Sequence, residues 1–351
     1  MNPIIGGKAD AHLPQVQTVC IDEDADGQRV DNFLMRHLKG VPKTHVYRMI
    51  RAGEVRVNKG RVKADTRLQL GDVVRVPPVR VSQQALDKAQ AMQEGAAGFV
   101  PARDFAVLLE DEHLLAIDKP AGVAVHGGSG VSFGVIEQLR MARPAARFLE
   151  LVHRLDRDTS GILLIAKKRS ALKNLQDQFR ERQTGKTYLA LVRGQWPARL
   201  KVLDKPLYKY VLDGQDAQAG ERRVRVVSRD DPNGMPSVTL VKVRASNPDF
   251  SLLEVTIKTG RTHQIRVHLA SEGHPIVGDD KYGDFELNKS LAKAGASAGL
   301  KRMFLHAWRL RLSHPASGEP LTLLAGLPPE LAQFLTLVLP QTLENHDTPT
   351  L

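Results

Sequence analysis

The sequence predicts an α+β protein in which a small basic domain precedes a large one. A chain of 351 residues is long enough for two domains with well-buried cores. From about residue 104 to 338, strands rich in Val, Ile and Leu are interspersed with scattered helices, without a regular strand–helix–strand alternation. Residues 28–80 hold 13 Lys and Arg against 4 Asp and Glu, so most of the net charge of +11 lies in this block. A concentrated positive charge of this kind is typical of a docking module.

The overall composition favours an anionic partner and excludes several classes of protein. A net charge of +11 and a pI near 9.7 point to nucleic acid as that partner. The one cysteine, Cys20, excludes a disulfide framework and a cysteine-based zinc site. The chain has no hydrophobic leader and no long apolar span, so we expect a cytoplasmic protein without membrane contact. Because heptads and an obvious apolar patch are absent, we expect a monomer.

Shifts in composition predict five segments. We expect a flexible segment over residues 1–27, a small domain over 28–80 and a linker rich in Gln and Ala over 81–103. The large domain should occupy 104–338, and a C-terminal tail should occupy 339–351.

The elements of the small domain follow from spacing and from turn residues. Apolar residues recur at helical spacing from 29 to 38, and Gly-Val-Pro at 40–42 ends that helix. A second helix runs to Gly53. A hairpin is predicted around Asn58-Lys59-Gly60, and a strand pair is predicted over 68–76.

This order of elements resembles the S4 domain, an RNA-binding module. The matching features are the two short helices, the Val-Asn-Lys-Gly hairpin and the Gly71-Asp72 step. The resemblance implies that Lys43, Arg48 and Arg51 of the second helix contact RNA phosphates, which would supply affinity with little sequence information. A merely solvated basic helix is the alternative.

The most informative stretch of the large domain is His153-Arg154-Leu155-Asp156-Arg157-Asp158-Thr159-Ser160-Gly161. Asp156 lies among cationic residues, ahead of a tight turn and an apolar run that predicts a buried strand. This arrangement suits a carboxylate that works beside an anionic polymer. If the segment is extended, Arg154 projects to the same face as Asp156. His153 is expected to be a structural hydrogen-bonding group.

Four stretches together resemble the active-site motifs of the RluA-type pseudouridine synthases, in the order of that family. They are Lys119-Pro120-Ala121-Gly122, the Asp156 stretch, Lys186-Thr187-Tyr188-Leu189, and His263-Gln264-Ile265-Arg266. The resemblance covers roughly residues 28–80 and 105–325. It implies an S4 domain followed by a synthase domain with a mixed, largely antiparallel sheet flanked by helices.

The resemblance also implies how the site residues act. Asp156 is the expected catalytic residue, and Arg266 is expected to pair with it and keep it ionised. Tyr188 would stack on the extruded uracil, and its phenol could help to remove the C5 proton. Arg154 would help to displace the nucleotide from its helix. The isomerisation conserves all atoms, so the expectation includes no cofactor and no metal.

The Lys119–Gly130 stretch and the Gly-Val-Pro-Lys sequence at 40–43 resemble one branch of the family, and this resemblance implies 23S ribosomal RNA or its large-subunit precursor as the substrate. Two alternatives stay open: a synthase that acts on another RNA such as tRNA, and a non-catalytic RNA-binding or ribosome-assembly protein.

A nuclease would need an acidic metal cluster, which the sequence does not show. Asp158-Thr159-Ser160-Gly161 fits the aspartic-protease signature, but those enzymes need two such carboxylates and the chain has one copy.

Overall fold

The computed structural model describes residues 15–22, 25–38, 41–79, 102–127, 133–211, 222–294 and 299–340. The chain divides into two compact units, residues 1–100 and 101–351. Within the described ranges, no helix is long and apolar enough to cross a membrane. The predicted linker and tail lie almost wholly outside these ranges, and the predicted domain borders stay predictions.

The N-terminal unit consists of two helices and a small sheet with strand order β1-β4-β2-β3. Its elements are α1 (Val30–His37), α2 (Lys43–Ala52), β1 (Gln17–Cys20), β2 (Arg56–Val57), β3 (Gly60–Arg61) and β4 (Val73–Val76). Both predicted helices and the predicted hairpin are confirmed. Gly53 ends α2 with φ of +73°, a conformation that glycine adopts without steric cost. Of the predicted strand pair over 68–76, only Val73–Val76 is a strand.

The expectation that residues 1–27 are flexible is wrong for part of this segment. Strand β1 pairs antiparallel with β4, and Val19 lies opposite Val74. Ile21, directly after β1, is only 2% exposed and belongs to the core of the unit. Burial of Ile21 and Val19 therefore fixes a stretch whose composition is that of a tail.

The C-terminal unit is built on one sheet of ten strands. Its helices are α3 (Val135–Ala142), α4 (Arg169–Arg180), α5 (Gln264–Ser271), α6 (Phe285–Lys293) and α7 (Pro329–Val338). The large sheet contains β5 (Val107–Glu110), β6 (Leu114–Lys119), β7 (Glu150–Leu151), β8 (Ser160–Ala166), β9 (Gly185–Arg193), β10 (Val202–Asp204), β13 (Val238–Ser246), β14 (Phe250–Ile257), β15 (Leu305–Ser313) and β16 (Pro320–Leu324). A separate two-stranded ribbon is formed by β11 (Leu207–Val211) and β12 (Arg222–Val226).

The sheet is mixed and largely antiparallel, as predicted. Its main path runs β10-β13-β14-β9-β15-β8-β6-β5, with β16 beside β15 and β7 beside β8. The pairing between β15 and β8 is parallel, whereas every other pairing described in this sheet is antiparallel. A long central strand such as β8 is buried at all seven of its residues, which explains its continuous apolar sequence.

The parallel junction of β8 and β15 depends on Gly161. This residue has φ of +108°, and a Cβ atom placed on it would collide with the backbone carbonyl of Ala307 on β15. Glycine thus allows two strands to approach directly after the loop that carries Asp156. The largest buried cluster lies against this part of the sheet and includes Leu155, Tyr188 and Leu305.

Candidate active site

Asp156 lies in the loop between β7 and β8, at the centre of the sheet. Its side chain is 22% exposed, so it faces a cleft. The backbone carbonyl of Asp156 accepts a hydrogen bond from the N–H of Thr159 at 3.2 Å, which closes the predicted turn. Thr159 and Ser160 are 2% and 0% exposed, so the residues that follow the carboxylate are anchored in the interior.

Arg266, on α5, presents its guanidinium to Asp156. The Arg266 Nη1 atom lies 3.6 Å from Asp156 Oδ2, which is within ion-pair range but longer than a hydrogen bond. The bidentate partner of Arg266 is Asp279, whose two carboxylate oxygens accept from Nε and Nη2 at 2.7 Å each. The predicted meeting of Arg266 with Asp156 therefore occurs, but Asp279 makes the hydrogen bonds and aims the remaining nitrogen at Asp156.

The buried pair of Arg266 and Asp279 is held in its charged form. Burial acts to lower the pKa of Arg266, but the hydrogen bonds to Asp279 and the charges of Asp279 and Asp156 outweigh it, and the pKa is raised. Burial acts to raise the pKa of Asp279, but the hydrogen bonds from Arg266 outweigh it, and the pKa is lowered. Asp279 also accepts from the backbone N–H groups of Lys281 and Tyr282. The site thus contains a fixed positive charge beside Asp156.

Tyr188, on β9, lines the same cleft. It is 9% exposed, and burial together with the nearby charge of Asp156 raises the pKa of its phenol. The phenol is therefore protonated at neutral pH. This state favours stacking and hydrogen bonding over the action of a phenolate base.

His263 lies beside Asp156, and Tyr282 lies beside Arg266. The sequence analysis assigned neither of them a role in the site. His263 Nε2 lies 3.9 Å from Asp156 Oδ2, and its Nδ1 lies 2.8 Å from the Tyr282 hydroxyl. Burial lowers the pKa of His263 more than the charge of Asp156 raises it, which favours a neutral imidazole. The Tyr282 ring supports Arg266, whose guanidinium carbon lies 5.2 Å from the ring centroid.

Lys119 braces the loop of Asp156 from the interior. Its side chain is 0% exposed, and its Nζ donates to the carbonyls of Pro120 and Val123 at 2.8 Å and of Arg157 at 3.0 Å. Burial lowers the pKa of Lys119 to about 7. Its contact with Arg157 ties the Lys-Pro-x-Gly turn to the residue next to Asp156.

A cavity of about 100 Å³ brings the predicted residues together. Its lining includes Arg154, Asp156, Tyr188 and Arg266, together with residues 260–265. Arg154 is exposed at the rim. The four residues predicted to form one site, separated by up to 112 positions in the chain, therefore converge.

Three further histidines, His153, His268 and His306, make hydrogen bonds within the fold. His153 Nε2 accepts from the N–H of Leu164, as expected of a hydrogen-bonding group, and burial lowers its pKa to about 4. His268 contacts the hydroxyl of Thr239 at 2.9 Å. His306 contacts the hydroxyl of Ser160 at 2.9 Å. Among the residues that the structure describes, no group of three or more His, Cys, Asp or Glu side chains is placed to hold a metal ion.

The three basic residues predicted to contact RNA in the N-terminal unit lie together on α2. Lys43, Arg48 and Arg51 are all exposed. Tyr47, which is 37% exposed, lies among them and donates a hydrogen bond to Asp31 Oδ2 at 3.2 Å. The helix therefore presents a basic surface to solvent, as predicted.

Comparisons with known proteins address both units. Residues 28–74 match the S4 domain, and residues 113–271 match the RNA pseudouridylate synthase family. The ribosomal large subunit pseudouridine synthase C of Escherichia coli K12 is 50% identical over 322 residues, which cover 92% of this chain and 96% of that protein. The chain belongs to the RNA pseudouridylate synthase family. It is accordingly an RNA pseudouridine synthase with an N-terminal S4 domain.

Further relatives agree with this assignment. The enzyme of the same name from Pasteurella multocida is 51% identical over 330 residues, covering 94% of this chain and 96% of that protein. Among solved structures, human RNA pseudouridylate synthase domain containing 4 aligns with a TM-score of 0.54 and 28% identity, over 70% of this chain and 95% of its own. Human RNA pseudouridylate synthase domain containing 1 gives a TM-score of 0.52 and 26% identity, over 71% and 98%.

The sequence analysis did not identify the residues that hold the site residues in place through hydrogen bonds. Asp279 lies 13 residues after Arg266, in Gly278-Asp279-Asp280, and nothing in the sequence of that stretch marks it as the partner of Arg266. Lys119 stood in the Lys-Pro-x-Gly motif, and full burial of a lysine is rare enough that its sequence position does not suggest it.

Proposed function

We propose that this synthase converts specific uridines of 23S ribosomal RNA to pseudouridine, with Asp156 as the catalytic residue. The observation that carries the proposal is the convergence of Asp156, Arg266 and Tyr188 on one cavity. The RNA substrate is inferred from relatives that are named for the large ribosomal subunit and resemble this chain over almost its full length.

The reaction needs one carboxylate and exclusion of water. The C1′–N1 glycosidic bond breaks, the uracil turns, and a C1′–C5 bond forms, while C5 loses a proton and N1 gains one. A hydrolytic glycosidase commonly uses two carboxylates, because one of them must activate water. Here Asp156 is the one carboxylate among the residues that line the described cavity, as expected for an isomerase. Both attack on C1′ and removal of a sugar proton would start from this group.

The remaining residues position the carboxylate and the base. Arg266, fixed by Asp279, supplies a positive charge that orients Asp156 without neutralising it by proton transfer. Tyr188 offers a flat, largely apolar surface on which the extruded uracil stacks. Arg154, which is exposed and lines the cavity, would contact the strand that the uridine leaves.

The proposal includes the rest of the chain. The S4 domain, with borders at 28–80, docks RNA through Lys43, Arg48 and Arg51, and the catalytic domain spans 104–338. The enzyme acts as a monomer in the cytoplasm. It needs no metal or cofactor, because the reaction neither adds nor removes atoms or electrons. Substitution of the three basic residues by Gln should make the negative slope of log affinity against log salt less steep by about 2 to 3, since each phosphate contact contributes about 0.7 to 0.9.

The experiment combines purified enzyme with unmodified transcripts of 23S ribosomal RNA and of tRNA. Pseudouridine is mapped by carbodiimide labelling and reverse-transcription stops, and free uracil is measured in the same reactions. New stops in 23S RNA alone support the proposal. Stops in tRNA alone would show that tRNA is the substrate instead. Release of uracil would indicate a glycosidase. Tight binding without stops would indicate an RNA-binding protein that catalyses no reaction.

A further inference from the structure

The ribbon of β11 and β12 has an inner face, which packs against α5, and an outer face on its other side. In the pairing register Tyr208 lies opposite Arg225, so these residues share a face, and Tyr210 shares it because it is two positions along the strand. Leu207, Val224 and Val226 belong to the other face.

The inner face of the ribbon is anchored to the elements that build the site. Leu207 and Val224 form a buried cluster with Val267, the neighbour of Arg266 on α5. The Val224 N–H donates to the Tyr282 hydroxyl at 3.0 Å, and the same hydroxyl lies 2.8 Å from His263 Nδ1. The two side chains of Tyr282 and His263 therefore connect the ribbon backbone to Asp156.

The outer face carries stacked aromatic and cationic groups, which we call the Tyr–Arg face: Tyr208, Tyr210 and Arg225. The guanidinium carbon of Arg225 lies 5.8 Å from the ring centroid of Tyr208 and 5.5 Å from that of Tyr210. Arg225 is exposed and both tyrosines are partly exposed. The contacts with one guanidinium hold the two rings in place, which reduces the entropy that a ligand would lose on stacking against them.

The charge of the ribbon strands matches a polyanion. Lys209, Arg222, Arg223 and Arg225 lie in β11 and β12, and these two strands contain no Asp or Glu. The connection over 212–221, whose sequence includes Asp213, Asp216 and Glu221, lies outside the described residues. Aromatic rings interleaved with cations are the features by which proteins bind single-stranded nucleic acid, since rings stack on bases and cations pair with phosphates.

We infer that the Tyr–Arg face binds an unpaired nucleotide next to the target uridine by stacking on its base. The inference rests on the proposed function, because extrusion of a uridine into the cleft leaves its neighbours without a stacking partner. The Tyr–Arg face offers accessible rings as a stacking surface, and it belongs to a ribbon that Tyr282 and His263 connect to Asp156. Substrate choice would then depend in part on an unpaired base at a fixed offset from the target.

The test is a double-mutant cycle between protein and RNA. Affinity is measured for RNA with a normal nucleotide or an abasic one at each position within three of the target, in the Asp156→Asn background so that the substrate stays unconverted. The ribbon variant is the double substitution Tyr208→Leu and Tyr210→Leu, which keeps apolar bulk and removes the rings. The control is Lys209→Gln, which removes a ribbon charge outside the Tyr–Arg face.

At one position, the abasic substitution should weaken binding by about 5- to 100-fold, as the loss of one stacked base does. The double Leu variant should bind normal RNA with the same loss and should show no further loss on the abasic RNA. Lys209→Gln should make the dependence of log affinity on log salt less steep, and the loss of affinity caused by the abasic nucleotide should stay the same. If the losses of affinity from the double Leu variant and from the abasic nucleotide are additive at every position, the inference is overturned. Additive losses would mean that the face binds through charge alone, as it would bind any acidic surface, including that of a protein.

The outcome is separable from that of the proposed function. If the wild-type enzyme forms pseudouridine in the RNA and the cycle shows no coupling at any position, the stacking role is wrong and the activity stands. If the wild-type enzyme leaves the RNA unmodified, the substrate assignment fails. As a control, each variant should have the same thermal unfolding temperature as wild type, which would show that the substitutions leave the protein folded.

Discussion

Replacement of Lys119 by Met tests whether a buried lysine braces the loop of Asp156. The ammonium of Lys119 donates to three backbone carbonyls, one of them that of Arg157, and the side chain is 0% exposed. Three carbonyl acceptors require all three protons of the charged form, whereas burial opposes the charge. The balance lowers the pKa of Lys119 from its ordinary 10.5 to about 7.

This lowered pKa makes stability depend on pH with a defined sign. Between about pH 7 and 10.5, the folded chain holds fewer protons at Lys119 than the unfolded chain does. The free energy of unfolding therefore rises with pH in this window, by about 1.4 kcal/mol per unit where the difference is a full proton. With half of the folded molecules protonated at pH 7, the rise from pH 7 to pH 9 comes to about 2 kcal/mol.

Urea unfolding of full-length wild type and Lys119→Met at pH 7 and pH 9 measures this difference. The other titrating groups are common to both proteins, so their contributions cancel in the difference between the two curves. The stability of wild type relative to the variant should increase by about 2 kcal/mol from pH 7 to pH 9. Lys209→Met, a change at an exposed lysine, controls for the altered net charge. Parallel pH dependences of wild type and Lys119→Met would refute the reasoning.

Two further substitutions have matched controls. Asp279→Asn leaves the buried charge of Arg266 without its bidentate partner, so it should cost about 3 to 5 kcal/mol of stability and reduce activity, whereas Asp280→Asn, at a side chain 70% exposed, should cost less than about 1 kcal/mol. Equal urea midpoints for the two variants would contradict the assigned partner. Gly161→Ala places a Cβ against the β15 backbone and should prevent normal folding, whereas Gly122→Ala, with φ of +81° and open space around it, should cost only about 1 to 2 kcal/mol. Similar melting temperatures for both alanine variants would contradict the close approach of β8 and β15.

Local signals predicted the small domain well. The apolar spacing over 29–38 reports one helix face, and Asn58-Lys59-Gly60 turns the chain where both Asn58 and Lys59 have positive φ. Strand β1 escaped prediction because Gln-Thr-Val-Cys has weak alternation and lies in a stretch with the composition of a tail. Its place in the sheet depends on pairing with β4, more than 50 residues later.

The candidate site residues were predicted through motif order, whereas the residues that hold them in place were not. Asp156 and Tyr188 stand in short stretches whose order identifies a family. The bidentate bond between Arg266 and Asp279 depends on how α5 and the following loop fold back, which residue spacing does not encode. The Tyr–Arg face depends on the register of two strands separated by ten residues, so it became visible only in the structure.

If Asp156 performs the glycosidic step, its loss should prevent release of the C5 proton, which leaves only after C5 has bonded to C1′. RNA labelled with tritium at C5 of uridine is incubated with wild type, Asp156→Asn and the neighbouring carboxylate variant Asp158→Asn, and RNA affinity is measured in parallel. Wild type and Asp158→Asn should release tritium, and Asp156→Asn should release none while it binds RNA as tightly as wild type. Tritium release by Asp156→Asn at the wild-type rate would contradict the assignment.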